Sequence, residues 1–445
     1  MKNAPRTFRI SWRVTLLVGL GFVLSFPQRQ AMAADSTDYL ADVEFALKEL
    51  PRHCGPLLKL KKIDWPAVSK QFLKEAKEIE SDPDHLVLLV RLLARLKDGH
   101  SSIRPLEKGK DVKWPLDTER TGPGMFWCRA GKKVYIKNSW SGAKGAGITP
   151  GMEVISVDGE PVEKWIAARQ ETLSDLMGYS TEQQAFFYAT HWGLKDKPLT
   201  KLKLQLRNLK GRRETKELRY MRGVSYTPQG PAFPPKGTKG TRNVFWSKTE
   251  EGYGYIHLRR CKGTLPEEVD QALAAVGDAP GIILDFRGNS GGGFDHEAFM
   301  GRFIPKGETL DFNKRYRSAG ENPYGGPVVC IVDATCRSAG ETAVAIFKED
   351  GRGYLIGESP TAGMSSSKRT IELPSGLFSL YVSVRSNMSR SNKGRGLEGV
   401  GVIPHELVQF DPEDLAEQRD TLIKVAAERL KKFPQSKVPY KAKKK

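Results

Sequence analysis

The sequence predicts a multi-domain α/β protein with a helical N-terminal domain, a β-rich middle domain and an α/β core. Three patterns predict it. Residues 36–98 repeat apolar side chains at spacings of three and four, residues 113–222 carry short strand and turn signals, and from Gly252 onward strands alternate with helices. That last alternation indicates a sheet with buried central strands. A chain of 445 residues is long enough for two or three real cores.

Before the helical domain, Lys2, Arg6, Arg9 and Arg13 precede the mostly apolar run Val14–Phe26 and then Ala31-Met32-Ala33. This is the order of a secretory signal peptide, 1–33, cut near Ala33, and it predicts a periplasmic or secreted protein. The apolar run is short for a bilayer span, and no later run approaches that length. The net charge is +19; five positives (with Arg29) precede residue 34 without an acid, which leaves +14 for the rest. Apart from the tail 437–445 the excess is scattered. No basic helix interleaved with aromatics and no nucleic-acid motif occurs; an anionic envelope or acidic polypeptides suit an exported basic protein better than nucleic acid, and an ordinary solvated surface accounts for the scattered excess more simply. Five cysteines (Cys54, Cys128, Cys261, Cys330, Cys336), without C-x-x-C, exclude a disulfide scaffold and a zinc knuckle.

The helical domain, 34–112, ends in Lys97-Asp98-Gly99-His100-Ser101, where Gly99 reads as a helix stop that presents His100 at a domain junction. No H-E-x-x-H pair accompanies the seven histidines, and no metal site is expected. In the middle domain, 113–222, residues 147–162 read as a turn, a strand with period-two alternation and an Asp158-Gly159 hairpin turn. A helix over 163–177 and a β segment over 199–209 follow. Residues 223–250, rich in Pro and Gly, read as a linker, and 251–436 as the core. There the expected elements are strands 253–258, 281–286, 328–332 and 354–357, helices 265–275 and 296–303, and a hairpin 370–385 turning at Pro374-Ser375-Gly376.

The chemistry concentrates in two stretches of the core. Val328–Val332 is a buried strand that runs through Asp333-Ala-Thr335 and Cys336-Arg337-Ser338-Ala339-Gly340-Glu341 into a helix. A serine there sits among free backbone amides at the positive end of a helix dipole, a good place for a nucleophile whose intermediate is an oxyanion. Taken alone, S-x-x-E is an ordinary capping box. The loop Arg287–Phe294, with Gly291, Gly292 and Gly293, lacks both G-x-G-x-x-G spacing and a P-loop lysine. Its glycines instead allow backbone amides to approach a substrate closely.

Residues 147–162 resemble a PDZ domain of the bacterial protease type, with Met152 in place of the usual Asp; such modules bind extended peptide ends by strand addition. Together with Asp285-Phe-Arg287-Gly-Asn289-Ser-Gly291-Gly292, Ser338-Ala-Gly-Glu341, Gly351-Arg352, Gly357-Glu358 and Gly396–Pro404, in that order, the chain resembles the C-terminal processing (tail-specific) serine peptidases. The resemblance implies a crotonase-like ββα core and acyl-enzyme cleavage of polypeptides without metal, nucleotide or other cofactor. One branch of that family uses a lysine in P-T-x-G-K; here Met364 stands in its place. Lys368 lies four positions on, about 13 Å along an extended strand, out of reach without a bulge. The tricorn-type branch uses a histidine and a late glutamate, and Asp98-Gly99-His100-Ser101 and Glu398 resemble those. The resemblance thus implies Ser338 as nucleophile, His100 as base, Glu398 in an indirect role, and amides of Ala339 and of Gly291 or Gly292 as the oxyanion hole. Two alternatives stand beside it: a Ser/Lys dyad using Lys368, and an inactive scaffold binding peptides or, like the similar cores of the interphotoreceptor retinoid-binding protein, apolar ligands.

Overall fold

The computed structural model describes residues 36–115, 119–224, 230–311, 315–349, 351–387 and 391–432. The segments read as a signal peptide (1–33) and a basic tail (437–445) lie outside the described residues. Among the described residues no helix is long and apolar enough to cross a membrane.

Helices Ser36–Leu60, Trp65–Ala76 and Asp82–Ala94 pack through Tyr39, Val43, Leu50, Phe72, Leu89 and Leu92. Asp64 and Ser81 cap the two shorter helices, each with a proline in the first turn. The third helix stops at Ala94 and the chain turns through Lys97, whose φ is +48°. The predicted stop at Gly99 therefore falls five residues late. Gly99 serves close approach instead: a Cβ there would lie 2.6 Å from Gln184 Nε2 and 2.9 Å from Met364 Sδ.

The same helices carry a three-stranded sheet, Ser102–Pro105, Phe378–Ser386 and Ser366–Glu372, whose Ile371, Phe378, Leu380 and Val382 complete their core. Its hairpin turn is anchored at Asp42, a buried carboxylate that accepts from Ser375 N at 2.8 Å and Ser375 Oγ at 2.6 Å and meets His85 Nε2 at 3.0 Å. Sequence assigns this hairpin to the core. Packing attaches it to the N-terminal helices, because a contact across 333 residues leaves no trace in periodicity.

The middle region is a six-stranded antiparallel sheet backed by helices Val162–Ser174 and Glu182–His191. Asp158 (φ +49°) and Gly159 (φ +88°) make the expected tight turn, with positive φ at both positions. Strands Met125–Ala130 and Arg213–Arg219 and helix Glu182–His191 are additional to the sequence reading.

The remainder forms a seven-stranded sheet in the order Glu406–Leu407, Tyr354–Gly357, Val328–Val332, Ile282–Asp285, Gly254–Leu258, Val244–Lys248, Lys239–Gly240. The first five strands run parallel and Val244–Lys248 is antiparallel. The last two strands come from the segment read as linker, where Pro and Gly mask a short edge. Helices Leu265–Val276 and Ala339–Glu349 cover one face and Thr421–Lys432 the other, so the central strands are buried, and Val328–Val332 is apolar throughout. All five cysteines are free and buried in these cores.

Where the sheet ends, Arg287 is fully buried between two carboxylates. It pairs with Asp285 at 2.6 Å and with Asp420 at 2.9 Å, and Asp420 also caps the last helix through Leu422 N and Ile423 N. Burial opposes ionisation of Asp285, but the guanidinium beside it holds its carboxyl below the usual range. Removing one partner of such a network strands buried charge. Arg287→Leu is expected to cost about 3–5 kcal/mol, read as a lower urea midpoint.

Candidate active site

Ser338 occupies the turn between strand Val328–Val332 and helix Ala339–Glu349, with φ +59°. A conventional N-cap is extended, so the capping-box reading fails for Ser338's own backbone. Half of the box is nonetheless present: Glu341 Oε2 accepts from Ser338 N at 3.0 Å. A left-handed backbone at a non-glycine residue is costly and persists only where its surroundings enforce it. The loop below does so. A Cβ on Gly291 would lie 2.6 Å from Ser338 Cβ and 3.1 Å from Ala339 N, and one on Gly340 would lie 2.7 Å from Asn289 Oδ1. Asn289 in turn donates to Leu258 O at 2.7 Å and accepts from Gly291 N at 2.9 Å. The Gly291 amide therefore points into this bond. The Ala339 and Gly292 amides have no such partner, Ala339 being in the first helical turn.

Glu341 is the centre of the turn. Fully buried, its carboxylate accepts from Thr361 Oγ1 (2.5 Å), Gly363 N (2.7 Å), Met364 N (2.7 Å) and Ser338 N (3.0 Å). Burial pushes its carboxyl up to about 7, against these donors, with Glu398 adding to the rise. Glu341 ties the serine turn to the segment that resembles P-T-x-G-K, and Met364 continues the chain of contact to Gly99, beside His100.

His100 lies in a second cluster. One ring nitrogen and one oxygen each of Asp98 and Glu398 lie within 4.8 Å of one another. Asp98 accepts from His100 N at 2.9 Å and Ser101 Oγ at 2.7 Å. Glu398 is fully buried; its Oε1 receives Lys61 Nζ at 2.8 Å and Ser180 Oγ at 3.1 Å. Its Oε2 and His100 Nδ1 are both buried without a hydrogen-bond partner. Among the described residues this is the group that could hold a metal ion, but the Lys61 ammonium already supplies the positive charge at Glu398. Burial lowers the His100 pKa to about 4, helped by the cations Lys368, Arg337 and Lys61 and opposed by Asp98. Burial raises Glu398, against Lys61.

Lys368 acts on this cluster through its charge. The ladder is irregular between Ser367 and Lys368, but the extra residue, Val384, lies on the partner strand, so the path from Met364 to Lys368 is not shortened. Its ammonium, half-buried, donates to Ser366 O at 3.0 Å and to Ser366 Oγ. Burial lowers its pKa, opposed by Asp98, Glu398 and Glu341. The structure thus places Ser338 with Ala339, Gly291 and Gly292, and His100 with Glu398 and Asp98, and joins the two groups through Glu341, Met364 and Gly99. No hydrogen bond links Ser338 Oγ to His100 among the described residues. Sequence reasoning missed Lys61, Ser180 and the multiple bonding of Glu341; only the S-x-x-E spacing hinted at the last.

Residues 252–408 match the profile of Peptidase family S41. Over this segment, about a third of the chain, the protein is similar to that peptidase family. Over 101 residues the chain is 31% identical to a protein of Chlamydia pneumoniae, covering 23% of this chain and 16% of that one. Over 405 residues it is 23% identical to a Streptomyces coelicolor protein named as a tricorn protease homolog, covering 87% of this chain and 32% of that one. The chain thus spans a third or less of the length of these relatives. Mature CPAF complexed with lactacystin superposes with a TM-score of 0.63 at 12% identity, over 90% of this chain and 98% of that one, which establishes a shared fold.

Glu341→Ala would leave three backbone amides without their acceptor. A loss of roughly 2–4 kcal/mol in denaturant unfolding is expected.

Proposed function

We propose that the chain is an exported serine endopeptidase that cleaves polypeptides through an acyl-enzyme, with Ser338 as nucleophile and His100 as base. The observation that carries this is the left-handed Ser338 turn beside the His100–Glu398–Asp98 cluster. A neutral imidazole takes the proton from Ser338 Oγ as it attacks the scissile carbonyl. The oxyanion forms against the Ala339 amide and that of Gly292, since Gly291's amide is held by Asn289. His100 then returns the proton to the leaving amine, and water repeats the sequence to release the acid. Glu398 acts as a positioning residue: Lys61 and Ser180 hold one oxygen, and the carboxylate lies in one cluster with His100, where an imidazolium would be stabilised. The family domain and the shared fold support the peptidase reading.

The PDZ-like assignment of the middle region and export through residues 1–33 belong to the same reading. A cavity of about 730 Å³ between strand Met125–Ala130 and helix Glu182–His191, lined by Phe126, Phe186 and Phe187 and reaching Asp333 and Glu358, suits capture of an extended peptide beside the core.

The charge of Lys368, felt by His100, Glu398 and Glu341, favours a second reading, a Ser/Lys dyad, and pH dependence separates the two. A base with a pKa of about 4 is competent above that pH, so kcat/KM on casein-derived peptides should rise through about pH 4 rather than near the 6.5 of a free imidazole. Lys368→Met removes a cation that depresses His100, so the acid limb should move upward with activity retained at neutral pH. Ser338→Ala and His100→Ala should each lower kcat by about 10⁴-fold or more. Abolition of cleavage by Lys368→Met, with His100→Ala tolerated, would assign the base to the lysine.

A further inference from the structure

A cavity of about 810 Å³ opens directly against the nucleophile turn and the glycine loop, touching Arg337, Thr335, Ala334, Ser290 and Gly288. Its opposite wall is formed by Phe187, Tyr188 and Trp192 from the middle region. Five of its lining residues are basic, Arg242, Arg259, Arg260, Lys262 and Arg337, and none is acidic. Elsewhere exposed cations find partners, as in Arg129–Glu163, Arg222–Glu119 and Arg419–Asp414. Among the described residues none of these five is in an ion pair. Of the three acids on the helix that follows this wall, Glu267 is exposed, Glu268 is turned inward and bonded to Asn243 Nδ2 at 2.7 Å and Thr264 Oγ1 at 2.6 Å, and Asp270 pairs with Arg302 at 2.7 Å.

Like charges gathered in a concave site repel one another and focus a positive field into it, so the site gains when a ligand brings negative charge. The position of the field decides which ligand. Arg337 immediately precedes Ser338, and Ser290 immediately precedes Gly291, so the cavity borders both the nucleophile turn and the glycine loop. A single terminal carboxylate engages one or two cations, whereas five spread over three segments suit several carboxylates along an extended peptide.

Resting on the peptidase reading, we propose that this cavity selects polypeptides with aspartate or glutamate side chains flanking the scissile bond. Arg242, Arg260 and Lys262 form its exposed outer wall and Arg337 its inner one. The aromatic wall packs the aliphatic stems and backbone of the bound chain.

The test compares internally quenched peptides that differ only in carrying Asp/Glu or Asn/Gln beside the cleaved bond, each with a free and an amidated C-terminus. They are cleaved by the full chain and by a triple variant, Arg242→Gln/Arg260→Gln/Lys262→Gln. Binding of the same peptides to Ser338→Ala protein is followed by fluorescence anisotropy. The acidic peptides should be favoured about tenfold or more at low salt, amidated or not, and the ratio should fall toward one at high salt and in the triple variant. Equal binding of acidic and amide peptides overturns the proposal, as does a preference that survives in the triple variant. A preference lost on amidation assigns the cations to a terminal carboxylate instead. A single-stranded oligonucleotide that binds the Ser338→Ala protein more tightly than the acidic peptide, through the same three residues, also overturns it. If no peptide is cut but Ser338→Ala protein still selects acidic peptides, the peptidase reading fails and this one stands.

Discussion

The buried carboxylate of Glu341 is the interaction on which the site depends. It accepts four hydrogen bonds, one from the serine turn and three from residues 361–364. The serine turn belongs to the parallel sheet, whereas residues 366–386 belong to the sheet on the N-terminal helices. One side chain therefore joins the element that holds Ser338 to the element that leads to His100. Buried amides must find acceptors, so this junction has few alternative arrangements.

A second constraint is that the histidine cluster is assembled from distant parts of the chain. Lys61 leaves the first helix, Asp98 and His100 follow the third, Ser180 precedes a middle-region helix, and Glu398 lies beyond the hairpin. Its charges are arranged so that His100 is kept neutral while Glu398 is neutralised by an ammonium. Burial alone would disfavour both the imidazolium and the carboxylate. The ammonium beside Glu398 offsets that cost on the carboxylate side, and the same ammonium adds to the lowering of His100.

Several motif residues prove to be architectural. Arg287, central to the Asp-Phe-Arg-Gly-Asn pattern, is sealed between Asp285 and Asp420. Arg352 is buried against the carbonyls of Tyr324 and Gly326, both at 2.9 Å. Glu358 meets Lys137 at 2.6 Å, linking the middle region to the core. Asn289 fixes the glycine loop and takes up the Gly291 amide. A motif identifies a fold because such residues hold it together, and only a few of them touch the reacting atoms.

The sequence by itself determined the alternating strands and helices of the core, the Asp158-Gly159 turn, the helical N-terminal region, and Ser338, His100 and Glu398 as residues to watch. These follow from local rules of periodicity, φ preference and turn chemistry, together with a family resemblance. Tertiary structure alone decided that the hairpin 366–386 packs on the N-terminal helices, that residues 239–248 extend the sheet, and that Gly99 is small for the sake of Met364 and Gln184. It also decided that the Lys368 charge acts on His100 and that Lys61 meets Glu398. Each of these is a contact between residues far apart in the chain. Such contacts are set by packing and buried hydrogen bonding, and neither leaves a periodic signal in the sequence.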